Sequence, residues 1–153
     1  MTRLFQALAL FVLLQGIASA EGISNPRFVP LEIYLDSPAT VAAWQFEFKD
    51  RNGAMKVVGV ENSGLAAYPR APYFDREAIA HGGAERIVVA DYSLAEESLL
   101  PVGRVHLATL HLMLEGKHDF DLRLIAATTP EGDAIDASIS FAEPDDKSQE
   151  RIR

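Results

Sequence analysis

The chain has 153 residues, with 14 Lys and Arg against 22 Asp and Glu, a net charge of −8, and no cysteine. That length fits one ordinary domain, and a net negative charge argues against nucleic acid as the main partner, because phosphate binding draws on clustered Lys and Arg. Without cysteine there is no disulfide framework, no thiolate nucleophile, no Cys-ligated zinc and no lipid-modified cysteine, so stability must come from ordinary burial.

Residues 1–20 read as an export signal. Arg3 supplies the positive charge, residues 4–14 form an apolar run broken only by Gln6, and Ala18-Ser19-Ala20 is a small-x-small cleavage site before Glu21. The run is shorter than the roughly 20 residues that span a bilayer, so no transmembrane anchor is expected and the mature protein is secreted or periplasmic. Cleavage after Ala20 removes one basic residue and leaves 13 against 22 acidic ones, a mature charge of −9. Residues 21–27 form an N-terminal extension, 28–141 a single domain, and 142–153 a polar, disordered tail.

Within the domain the dominant period is two. Val29, Leu31, Ile33 and Leu35 alternate with Pro30, Glu32, Tyr34 and Asp36, the pattern of a half-buried strand, and a Ser37-Pro38 turn follows. Ala42, Trp44, Phe46 and Phe48 then alternate with polar or small neighbours up to Asn52-Gly53, a hairpin or tight-turn signal. Residues 55–61 make a third strand. Ile87-Val88-Val89-Ala90 is apolar on both faces, as in a strand covered from both sides.

The C-terminal half continues the theme. Ala108, Leu110, Leu112 and Leu114 alternate with Leu107, Thr109, His111 and Met113; Phe120, Leu122 and Leu124 with Asp121, Arg123 and Ile125; and Ile135, Ala137, Ile139 and Phe141 form a last strand. Only residues 75–80 and 94–100 could be helical, and both are short. The spacing predicts an all-β antiparallel β-sandwich.

Ala43-Trp44-Gln45-Phe46-Glu47-Phe48 followed by Met55-Lys56-Val57-Val58-Gly59-Val60 resembles the hairpin of cohesin-type domains. Arg86-Ile87-Val88-Val89-Ala90 is similar to the central strand of that family, and Gly103-Arg104-Val105-His106-Leu107-Ala108-Thr109-Leu110-His111-Leu112 to its glycine-led strand. The resemblance covers residues 28–141 and implies a jelly-roll sandwich of about nine strands, related to the cellulose-binding modules of bacterial exported proteins. It further implies a partner protein, dockerin-like or another exported protein. These motifs are core patterns, so no contact residue carries over from them.

Catalytic and metal chemistry find little support in the residues. His106 and His111 are five apart on one predicted strand, which sends them to opposite faces unless a bulge intervenes. His118-Asp119-Phe120-Asp121 and the Glu131, Asp133, Asp136 set lack the glycine-anchored spacing of a calcium loop. Ser63, Ser93 and Ser98 have no nucleophile-elbow context, and a glycosidase pair such as Asp36 with Asp91 would need the fold to bring them into one cleft. No enzyme activity, cofactor or metal is therefore expected.

A binding surface is the better expectation. Trp44 shares parity with Phe46 and Phe48 and belongs to the core, which leaves Tyr34, Tyr68, Tyr73 and Tyr92 as exposed rings for stacking on a polysaccharide, the alternative ligand to a protein. The longest irregular segment, 62–84, holds Tyr68-Pro69-Arg70-Ala71-Pro72-Tyr73-Phe74, and connections of this length tend to be functional. The candidate contact residues are Tyr68, Arg70, Tyr73, Phe74 and Tyr92, with Glu96 and Glu97 of the 93–102 segment beside a sheet edge.

Overall fold

A computed structural model describes residues 25–143. Residues 1–20, where an export signal is expected, residues 21–24 of the expected extension and residues 144–153 of the expected tail lie outside the described residues. Seven antiparallel strands form two sheets, where about nine strands are expected from sequence: β1 (Arg27–Ser37), β2 (Ala43–Asp50), β3 (Met55–Asn62), β4 (Arg86–Tyr92), β5 (Gly103–Leu114), β6 (Phe120–Thr128) and β7 (Ser138–Ala142). One sheet has the order β3-β5-β1-β7 and the other β4-β2-β6. The two short helical stretches fall where the sequence puts them, α1 at Arg76–Ala80 and a 3-10 turn at Glu97–Leu99. The Asp75 carboxylate caps α1 by accepting the Glu77 and Ala78 N–H groups.

The period-two pattern explains the core. Leu31, Ile33 and Leu35 of β1 and Leu110 and Leu112 of β5 point inward from one sheet, and Trp44, Phe46 and Phe48 of β2 and Val89 of β4 point inward from the other, all buried in one cluster.

The Asn52-Gly53 turn does not close a hairpin, because β2 and β3 belong to different sheets. Gly53 takes a left-handed φ of +66°, and the chain crosses from one sheet to the other. The β5–β6 connection crosses beside it. Asp50 ties the two crossings together: its carboxylate accepts the Ala54 N–H at 2.6 Å and the Asp119 N–H at 2.5 Å.

Three bulges interrupt the simple alternation. In the β1–β5 ladder Ile33 pairs with Ala108 and Tyr34 with His106, so Leu107 is the extra residue and both Leu107 and Ala108 are buried. The bulge resets the parity of β5 and is the exception under which His106 and His111 share a face: both lie on the outward face. They remain separate there, His106 bonding Thr109 at 3.2 Å and His111 bonding Glu61 at 3.1 Å. A second bulge lies between Val57 and Gly59 of β3, and a third makes Ile125 the extra residue of β6.

Segments expected as loop or strand contribute single bridges at sheet margins. Tyr73 pairs with Ala90 of β4, Ala84 with Val57 of β3, and Ala134 with Thr128 of β6. Gly83 permits the second of these, since at its φ of +95° a Cβ would stand 2.9 Å from Lys56 Cβ and 3.2 Å from the Val57 carbonyl oxygen. None of the described helices is long and apolar enough to cross a membrane.

Candidate functional site

The outward face of the β4-β2-β6 sheet is divided along its length. Its rows, read from the ladder register, are Tyr92-Ala43-Thr128, Ala90-Gln45-Ala126, Val88-Glu47-Arg123 and Arg86-Lys49-Asp121. The last two rows are charged. Glu47 sits among Arg86, Arg123 and Lys49, with Arg86 as its main hydrogen-bond donor, and these cations hold its carboxyl below the usual carboxylate range. Lys49 and Arg51 also reach Asp121, at 3.5 and 3.4 Å. That half of the face is a closed ion-pair network.

The first two rows are uncharged and open. Ala43, Ala90 and Ala126, one from each strand, leave the floor low around the single longer side chain of Gln45, which stands between Ala90 and Ala126. Tyr73 and Tyr92 stand over it as a wall, together enclosing a groove of about 550 Å³ that also touches Gln45 and Thr128. The apolar run of β4 is therefore half right: Ile87 and Val89 enter the core, but Val88 and Ala90 face outward and are only half covered.

Tyr73 is held by its backbone. Its N–H donates to the Ala90 carbonyl at 2.7 Å and its carbonyl accepts the Ala90 N–H at 3.0 Å, which makes it a one-residue extension of the sheet with its side chain on the outward face. Its ring stacks on Tyr92, centroids 6.0 Å apart and planes within 9°, and the Arg70 guanidinium lies 5.8 Å from the Tyr92 ring centre. The Tyr73 hydroxyl and then Arg70 hold the Tyr92 phenol below its ordinary range, and Tyr73 is correspondingly raised.

A smaller groove of about 320 Å³ adjoins on the other side of Tyr73, lined by Arg70, Ala71, Pro72, Tyr73, Phe74 and Arg76. Arg76 lies 5.3 Å over the Phe74 ring. Pro72 is buried and anchors this stretch. Arg70, Tyr73 and Phe74 thus line one groove, and Tyr92 joins them through Tyr73 and Arg70.

Tyr68 is not part of that surface. It is 2% exposed, its ring lies edge-on to Trp44, and its hydroxyl donates to the Val41 carbonyl at 2.7 Å, so it belongs to the core with Trp44. The sequence signal missed here is the small apolar run Leu65-Ala66-Ala67 before Tyr68, which carries the chain inward. Glu96 and Glu97 are exposed at the 3-10 turn and line neither groove. Tyr34 lies on the opposite sheet, where its hydroxyl donates to Glu32 at 2.5 Å and Arg104 covers its ring at 4.3 Å. Asp36 pairs with Arg104 on that same sheet, and Asp91 faces the interior of the other, cross-strand from Trp44. The two therefore form no carboxylate pair.

Among the described residues no three His, Asp or Glu side chains are placed to hold a metal ion. Of the Ala floor only Ala43 was legible as an outward residue: Ala90 lies on a strand that reads as covered on both faces, and Ala126 turns outward only because Ile125 is a bulge. Compared with protein-family models, curated protein sequences and solved structures, the chain gives no match.

Proposed function

We propose that the chain is an exported, non-catalytic binding module, a jelly-roll sandwich of the cohesin-like kind, that recognises a partner protein through the outward face of the β4-β2-β6 sheet. The observation that carries this reading is the open groove with its alanine floor and tyrosine wall. A sheet face bearing charge on one half and exposed rings over small side chains on the other offers apolar area to a partner without a reactive group. Tyrosine is a frequent interface anchor because it carries large area on two torsions.

A protein partner suits this lining better than a polysaccharide. Sugar rings need a free aromatic face and polar groups for their hydroxyls. Here Tyr73 and Tyr92 stack on each other, Arg70 lies on Tyr92, and besides the tyrosines the polar residues lining the groove are Gln45, Thr128 and Asp91, the last of them buried.

The test is affinity capture from the native periplasm or culture medium with the mature protein and with a Tyr73→Ala, Tyr92→Ala double variant. Both rings are outside the core, so the variant keeps its fold. A protein retained by the wild type and lost with the double variant is the expected result. Saturable retention on an insoluble polysaccharide, with no protein retained, overturns the proposal.

A further inference from the structure

Arg70 and Arg76 flank the smaller groove and have no ion-pair partner among the described residues. This sets them apart from Arg51, Arg86, Arg104 and Arg123, each of which has a carboxylate oxygen within the 4 Å of an ion pair. Both are exposed, yet neither is loose: Arg70 rests on Tyr92 at 5.8 Å and Arg76 on Phe74 at 5.3 Å. The segment between them is fixed by buried Pro72 and by the two Tyr73–Ala90 backbone hydrogen bonds. The carboxylate that most influences Arg70, Asp91, is buried, spends one oxygen on the Tyr92 N–H at 2.8 Å and makes no ion pair. In a chain of net charge −8, two arginines that line one groove and have no ion-pair partner among the described residues form a local cationic site.

A guanidinium presents a planar fork that matches a carboxylate, and stacking on a ring preorganises it and lowers the entropy lost on binding. Tyr73 lines both grooves, so an extended segment crossing it would meet apolar floor on one side and two arginines on the other. We infer that the partner segment is an acidic peptide strand, placing an apolar side chain over the Ala43-Ala90-Ala126 floor and an Asp or Glu carboxylate in the Arg70–Arg76 groove. This rests on the protein-recognition reading and specifies its ligand.

The test is an amide NMR titration of the mature protein with blocked hexapeptides that carry one leucine and, two or three positions on, either aspartate or asparagine. The expected result is movement of Tyr73, Ala90 and Tyr92 with both peptides, movement of Arg70 and Arg76 with the aspartate peptide alone, and about three- to tenfold tighter binding for aspartate. That preference should vanish in an Arg70→Gln, Arg76→Gln variant, whose exposed positions leave the fold intact. Equal binding of the two peptides overturns the inference while leaving the protein-recognition reading in place. Movement of Arg70 and Arg76 with oligogalacturonate but not with peptide overturns both, and no movement with any probe overturns the inference for this groove.

Discussion

The Tyr68 hydroxyl donates a 2.7 Å hydrogen bond to the Val41 carbonyl, 27 residues earlier in the chain. The bond joins the long 63–85 connection to the residues that enter β2, and the ring beside it packs edge-on to Trp44 at 6.1 Å. What reads in the sequence as one of several exposed tyrosines is a core residue with its one polar atom satisfied.

Tyr68→Phe keeps the ring and orphans the Val41 carbonyl, so it should cost about 1–2 kcal/mol, and Tyr68→Ala about 3–5 kcal/mol through the cavity it leaves. Burial pushes the Tyr68 phenol well above its ordinary value. A folded-state value above the unfolded one means the stabilising contribution is intact below about pH 10 and is lost as the pH rises beyond it. Denaturant melts between pH 8 and 11 should show the wild type weakening more steeply than Tyr68→Phe. Parallel curves would show that another group drives alkaline unfolding.

Asp50 carries a comparable share at the opposite end. Its two oxygens accept backbone N–H groups from both inter-sheet crossings, Ala54 and Asp119, and the Arg51 N–H to Asp119 carbonyl bond at 2.9 Å closes the same knot. Asp50→Ala leaves both donors without this acceptor and should cost about 2–4 kcal/mol, whereas Asp50→Asn keeps one good acceptor and should cost less. Equilibrium urea unfolding of the two variants measures this; equal, small losses would mean that water replaces the carboxylate at little cost.

The strand positions and the core were legible because period two is a direct consequence of pleating: Leu31, Ile33, Trp44, Phe46, Leu110 and Leu112 are all inside. The bulges were not legible. Inserting Leu107 as an extra residue changes the face of everything before it on β5, and no local signal in Val105-His106-Leu107-Ala108 distinguishes a bulge from plain alternation. The groove was half legible for a similar reason. Tyr73, Tyr92 and Arg70 stand out by type and by their place in irregular segments, but their meeting depends on one backbone bridge to Ala90 that no periodicity encodes. The turn at Asn52-Gly53 was correctly placed, and its role as a crossing between sheets follows only from tertiary pairing.

Asp91 is raised like Tyr68, but its substitution should act in the opposite direction at neutral pH. It is 6% exposed and without an ion pair among the described residues, and burial raises its carboxyl above the usual carboxylate range, the Tyr92 N–H and Arg70 offsetting part of that rise. With the folded value above the unfolded one, the native state binds the proton more tightly, so ionisation at neutral pH costs stability and the cost disappears as the pH falls through the folded value. Asp91→Asn retains an acceptor for the Tyr92 N–H and removes the charge. It should be more stable than wild type at pH 7, with the difference shrinking toward pH 4. A less stable variant at pH 7 would show that the carboxylate has a cationic partner in solution.

The Tyr73–Tyr92 pair is testable without any ligand. The Tyr73 hydroxyl is the larger influence and Arg70 the second in holding the Tyr92 phenol below its ordinary value, while hydrogen bonding to Glu32 raises Tyr34 and burial raises Tyr68. In a pH titration followed by the ring carbons of the four tyrosines, Tyr92 should therefore lose its proton first. Tyr73→Phe removes a donor to the Tyr92 oxygen and Arg70→Gln removes a cation that favours the phenolate, so each substitution should move the Tyr92 midpoint upward, Tyr73→Phe by more. Arg76→Gln, whose guanidinium lies on Phe74, should leave it unchanged. An unmoved midpoint in Tyr73→Phe would mean that the two rings do not hold their stacked arrangement in solution, and the wall of the groove would then have to form on binding.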